Sequence, residues 1–77
     1  MALIVTVVEE KGTHAGIEKT ERLRIRCDVD AQGVEADAFD ASGNRIARTG
    51  LIQNPPDFEA APFDFLRTVT QQLGLDV

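Results

Sequence analysis

The sequence predicts an α+β fold: a four-stranded antiparallel meander followed by one C-terminal helix packed on one sheet face, in the order ββββα. Three observations predict it. Residues 22–29, "RLRIRCDV", alternate apolar and charged side chains, the period-2 mark of a half-buried strand. The clusters Asp30-Ala31-Gln32-Gly33 and Ala41-Ser42-Gly43-Asn44 are turn chemistry at strand-length spacing. Pro62 and Gly74 bracket a segment whose apolar residues recur at helical spacing. At 77 residues, the chain is read as a single small domain over residues 1–77.

The first strand is expected over residues 2–9, rich in β-branched residues and apolar on both faces. Leu3, Val5 and Val7 share one face; Ile4, Thr6 and Val8 share the other. The stretch Glu10-Lys11-Gly12-Thr13-His14-Ala15-Gly16 reads as a polar, mobile loop with two glycines. The second strand follows over residues 20–29, with Leu23, Ile25, Cys27 and Val29 inward and Arg22, Arg24, Arg26 and Asp28 outward.

Parity sets the next register, because paired residues share a face. Val29 opposite Val34 carries Cys27 to Ala36 and Ile25 to Ala38 on the inner face, Arg26 to Asp37 and Arg24 to Phe39 on the outer. A one-residue slip would bury Glu35. Opposite-charge pairs, or an arginine over an aromatic ring, add roughly 0.2–1 kcal/mol each. Arg26 is thus expected to pair with Asp37 and Arg24 with Phe39. A fourth strand over residues 45–52 alternates poorly, as an arginine-bearing edge strand does. Asn54-Pro55-Pro56-Asp57 ends the sheet. A short helical turn is expected near residues 57–60. In the helix of about three turns, Phe65, Leu66, Val69 and Leu73 form an apolar stripe, with Phe63 at its margin and Arg67, Thr68 and Gln71 opposite.

Composition narrows function by exclusion. Thirteen acids against eight Lys and Arg leave a net charge of −5. That disfavours non-specific binding to nucleic acid or anionic membrane, both polyanions. One cysteine forbids an internal disulfide and suits a reducing cytoplasm. The apolar run at residues 2–8 is too short to span a bilayer and has no basic flank, so no membrane association is expected. Cys27 is expected buried and inert, and His14, the one imidazole, lies in a different segment, so no nucleophile–base pair is expected. Ser42 reads as a turn residue without a base. Asp28-Val29-Asp30-Ala31-Gln32-Gly33 begins like a calcium loop, but the position of its closing acid holds Phe39. Zinc would need several Cys or His, and the chain has one of each. No phosphate-cradling glycine loop is present. The chain is therefore read as a non-enzyme without cofactor or metal.

One helix covers one face of a sheet, which leaves the other face open. That face is expected to present Ile4, Val8, Arg22, Arg24, Arg26, Asp37, Phe39 and Arg48; if the first strand lies the other way up, Leu3, Val5 and Val7 replace Ile4 and Val8. Contiguous apolar surface beside arginine and phenylalanine is the composition of protein-interface cores. The expected function is a protein-binding module: a small acidic inhibitor or accessory subunit, including a phage-type antagonist of a defence or nucleic-acid enzyme. Its partner is another protein or a second copy stacked face to face, with Asp37 or Glu35 as counter-ions. Glu9, Glu10, Asp57, Glu59 and Asp64 could imitate phosphates towards a basic groove. The alternative is nucleic-acid binding by Arg22, Arg24 and Arg26, with Phe39 stacking on a base.

Overall fold

A computed structural model describes residues 1–75 of the chain. Four antiparallel strands form one open sheet in the order β1-β2-β3-β4, with β1 at Ala2–Thr13, β2 at Gly16–Asp30, β3 at Gly33–Asp40 and β4 at Arg45–Arg48. One helix, α1 at Pro62–Leu73, follows. The ββββα architecture is the one the alternation and turn spacing predict.

The β2–β3 register is the parity register. Val29 pairs with Val34, Cys27 with Ala36, Ile25 with Ala38, Arg26 with Asp37 and Arg24 with Phe39. Its turn is built by Asp30, whose Oδ1 accepts the N–H groups of Gln32 and Gly33 at 2.8 and 3.2 Å. Asp40 does the same at the β3–β4 turn, accepting from Ser42 and Asn44, both at 2.9 Å. Gly33 is required twice over: its φ is +148°, and a Cβ there would lie 2.0 Å from the Ile52 carbonyl oxygen.

The core lies between the sheet and α1. Ile25, Cys27, Val34, Ala36 and Ala38 from β2 and β3 meet Phe65, Val69 and Leu73 from the helix, all buried. Leu3, Val5, Leu23 and Leu66 pack around them. Burying side chains such as Phe65 and Val69 contributes about 1.5–3 kcal/mol each. Phe58 meets Phe65 edge-on, with ring centroids 5.5 Å apart. Pro62 opens the helix, and Gly74, at φ +73°, closes it by donating its N–H to the Gln71 carbonyl at 3.1 Å. The turn expected before the helix is present as a bond from Ala61 N–H to the Asp57 carbonyl at 2.7 Å.

Three local expectations are corrected. First, residues 10–16 are not a loop. β1 runs to Thr13 and β2 starts at Gly16, so His14 and Ala15 alone turn the chain. A polar ribbon without a core gives no apolar period, which is why the sequence does not announce it. Second, the fourth strand does not run unbroken over 45–52. It stops at Arg48, and pairing resumes at an isolated Val34–Ile52 bridge. Thr49 holds the gap: its Oγ1 accepts the Ala36 N–H and its own N–H donates to the Ala36 carbonyl, both at 2.9 Å. Third, two strands carry a bulge. Val7 pairs with Leu23 but Val8 with Glu21, which leaves Arg22 as the extra residue. Ala38 pairs with Ala47 but Phe39 with Arg45, which leaves Ile46 extra.

Candidate functional site

Beyond Leu23 the bulge changes what faces where. Glu21 takes the outer position that strict alternation reserves for Arg22, and Arg22 falls in phase with Thr20 and Glu18 on the helix side of the sheet. The contacts agree. Arg24 reaches Glu21, three residues back, with Nη2 at 2.8 Å and Nε at 3.0 Å. Arg22 Nε instead donates to Glu9 Oε2 at 2.6 Å. That bond and the opposite charge hold the Glu9 carboxyl below its ordinary pKa and raise Arg22. Arg22 therefore stands apart from Arg24 and Arg26. The same geometry recurs at Ile46, where the bulge brings Arg45 and Arg48 onto one face. Both approach Asp37 Oδ1, at 3.7 and 3.5 Å.

The face away from α1 carries Ile4, Thr6, Val8 and Glu10 of β1. It carries Ile17, Lys19, Glu21, Arg24, Arg26 and Asp28 of β2, with Glu35, Asp37 and Phe39 of β3 and Arg45 and Arg48 of β4. Ile4 is 65% exposed and Val8 45%. Leu3, Val5 and Val7 are half-buried on the helix side, so the first strand lies in the leading of the two orientations considered. No described element covers the open face. Apart from Arg22, the residues predicted for it, namely Ile4, Val8, Arg24, Arg26, Asp37, Phe39 and Arg48, lie together there.

The charges on this face balance. Lys19, Arg24, Arg26, Arg45 and Arg48 are matched in number by Glu10, Glu21, Asp28, Glu35 and Asp37, so the net charge of −5 resides on the rest of the chain. The pairing itself differs from the expected one. Arg26 lies opposite Asp37 in the ladder, yet its guanidinium turns to Asp28 at 3.6 Å, while Asp37 serves Arg45 and Arg48. Arg24 lies opposite Phe39 and turns to Glu21. Flexible side chains choose among neighbours within reach, and a ladder register does not decide that choice. Asp37 Oδ1 is buried and receives no hydrogen bond among the described residues, the two arginine nitrogens standing 3.5 Å or more away.

At the centre of the face is a hollow of about 310 Å³, lined by Ile4, Glu21, Arg24, Arg26, Phe39 and the β3–β4 turn. Its lining joins the apolar side chains of Ile4 and Phe39 with two arginines and Glu21. A second hollow of about 350 Å³ lies between the β2–β3 turn and the segment leading into α1. Asp30 and Asp57 there are occupied in holding turn N–H groups, so that hollow is the gap between two turns.

The remaining candidate chemistry is dispersed. Cys27 is buried, and desolvation, followed by the Asp28 charge, pushes its thiol above the usual range. His14 turns the far end of the β1–β2 ribbon, roughly 30 Å along the strands from Cys27. Among the described residues no group of three or more His, Cys, Asp or Glu could hold a metal ion, and no helix is long and apolar enough to cross a membrane. The acids expected as phosphate mimics fall in three places: Glu9 and Glu10 on β1, Asp57 and Glu59 in the segment before α1, and Asp64 in α1. Glu9, Glu10 and Asp64 sit beside Arg22, Lys19 and Arg67. No protein-family model, curated protein or solved structure matches this chain, so the functional reading rests on its own residues.

Proposed function

We propose that this chain is a non-enzymatic protein-binding module, of the kind that serves as a small inhibitor or accessory subunit, and that it docks through its open sheet face. One observation carries the reading: exposed Ile4 and half-buried Phe39 line one hollow across Arg24 and Arg26, with exposed Val8 on the same face, and these arginines are already paired with neighbouring acids. Such a surface offers apolar area and a hollow to a partner and leaves no unpaired arginine charge to be buried. The partner suited to it presents an apolar residue to the hollow beside Ile4 and Phe39 and a hydrogen-bond acceptor to Arg24 and Arg26. A second copy stacked face to face fits less well, since Asp37, one of its expected counter-ions, is engaged with Arg45 and Arg48. Nucleic acid is also less well served. Arg22 lies off the face, and the locally neutral face belongs to an acidic chain. A reducing compartment such as the cytoplasm suits the single buried thiol.

The test is affinity purification from the native host, with mass spectrometry of the proteins retained. A specific partner should be lost with Ile4→Asp and with Arg26→Glu, and kept with Gln72→Lys on the exposed side of the helix. A partner indifferent to both open-face variants would refute docking through this face. Salt-sensitive retardation of DNA or RNA, weakened by Arg24→Ala, would favour the nucleic-acid reading instead.

A further inference from the structure

The two edges of the sheet are built differently. β4 is four residues long, two of them arginines, and the pairing is interrupted after it until the Val34–Ile52 bridge. β1 has 12 residues, and its stretch 2–8 holds neither charge nor proline. Met1 and Val29 exchange both backbone hydrogen bonds, at 2.7 and 2.8 Å. The bonded pairs therefore continue at Leu3–Cys27, Val5–Ile25 and Val7–Leu23. It follows that the N–H and C=O groups of Ala2, Ile4 and Thr6, and by the same alternation Val8, point away from β2. No described strand meets them. Such an edge is a template for a further strand.

We propose that the strand it takes is β1 of a second copy, running antiparallel about a twofold axis through Val5. In that register Val5 faces Val5, Ile4 faces Thr6, Leu3 faces Val7 and Ala2 faces Val8 of the second copy. The outward residues fall opposite one another, as hydrogen-bonded pairs require. Residue types at equal distances from Val5 match in character on both faces, which is the self-complementarity a twofold interface needs. Charge selects the same register. Centring on Thr6 would set Glu9 against Leu3, and centring on Ile4 would leave Val8 uncovered; centring on Val5 pairs the whole uncharged stretch and no charge within it. Two chains of net charge −5 thus meet along the stretch where neither carries any. Leu3, Val5 and Val7, half-buried at the margin of each core, would become interior. The axis is perpendicular to the sheet, so both open faces stay on the same side and remain available to another protein.

Sedimentation velocity from about one to about a hundred micromolar tests this without any foreign partner. The chain should reach twice its monomer mass. Thr6→Pro, which removes an outward N–H and none of the β1–β2 bonds, should sediment as a monomer with an unchanged circular dichroism spectrum. Register is read independently by cysteine cross-linking under copper–phenanthroline oxidation. Val5→Cys should form an intermolecular disulfide. Val8→Cys should not, since the two Val8 positions stand roughly 20 Å apart. A wild-type monomer throughout the range, a dimer that survives in a folded Thr6→Pro, or equal cross-linking at positions 5 and 8 would each overturn the proposal. If Thr6→Pro fails to fold, the two cysteine variants decide.

Discussion

Thr49 does in one residue the work of two ladder positions, accepting from the Ala36 N–H with its hydroxyl and donating to the Ala36 carbonyl with its backbone. Thr49→Val keeps shape and volume but strands a buried N–H, which costs about 1–3 kcal/mol. Urea denaturation should show that loss, with Thr49→Ser keeping most of the stability; an equal loss in both would assign the effect to packing. Cys27 makes a second prediction, and here the sign matters. Its thiol pKa is raised in the fold, so the native state keeps a proton that the unfolded chain releases. Stability is full below the ordinary thiol value of about 8.5 and falls as pH rises through the raised value. The wild-type stability–pH profile should therefore fall more steeply on the alkaline side than that of Cys27→Ala. Parallel profiles would contradict the burial argument. At this scale the sequence reveals the inward residues and the Val29–Val34 register, because parity depends only on residue spacing. Ion-pair partners are not legible from it: Arg26 has both Asp28 and Asp37 in reach, and side-chain geometry alone decides for Asp28.

The β1–β2 ribbon beyond Val8 extends past the core, and the chain measures 48 × 28 × 21 Å along its principal axes. No residue from 8 to 21 is buried. The segment is held by its ladder, by the Thr13 hydroxyl at the turn and by the ion pairs Lys19–Glu10 and Arg22–Glu9. A two-stranded ribbon without a core is marginal in water. Amide hydrogen exchange should therefore show the ribbon opening far more readily than β2 from Leu23 to Val29, which opens only with the whole fold. Equal protection in both would mean that the ribbon shares the global unfolding unit. Its carboxylate pairing should also depend on pH. Glu9 is depressed by Arg22, so the contact is intact above the ordinary carboxyl range and lost as pH falls through the depressed value. An NMR titration should place the Glu9 carboxyl below its ordinary value and return it there in Arg22→Gln. The sequence hides this element because alternation is visible only when one face is apolar. From Glu9 to Glu21 both faces are largely polar, and the glycines imitate a loop. The helix was legible for the opposite reason: Pro62, Gly74 and the Phe65–Val69–Leu73 stripe are all explicit in it.

For the molecule as a whole, a sheet covered on one side leaves two free surfaces: the balanced, partly apolar face, where we propose that a foreign protein docks, and the bare β1 edge, where we propose that a second copy pairs. The open face was largely legible because outward positions follow from inward ones. Strict alternation puts Arg22 on the wrong face, because nothing in the residue pattern distinguishes a bulge from continued alternation. That bulge also bears on how much length the chain can lose. β2 contains one residue more than its ladder with β1 consumes, and the surplus is Arg22. Deleting a residue from the middle of a strand ordinarily turns every later side chain to the wrong face. Removing Arg22 should do the reverse, joining Glu21 directly to Leu23 with every other pairing partner kept. The deletion variant should fold, retain the Val8–Glu21 and Val7–Leu23 contacts in NMR, and differ mainly in the twist of the ribbon. Removing Arg26 instead should close the ladder only by turning Leu23 and Ile25 outward and Arg24 inward, and should unfold the protein. At this point the protein carries spare thread, and a shortening that would destroy most strands would here restore an unbroken weave.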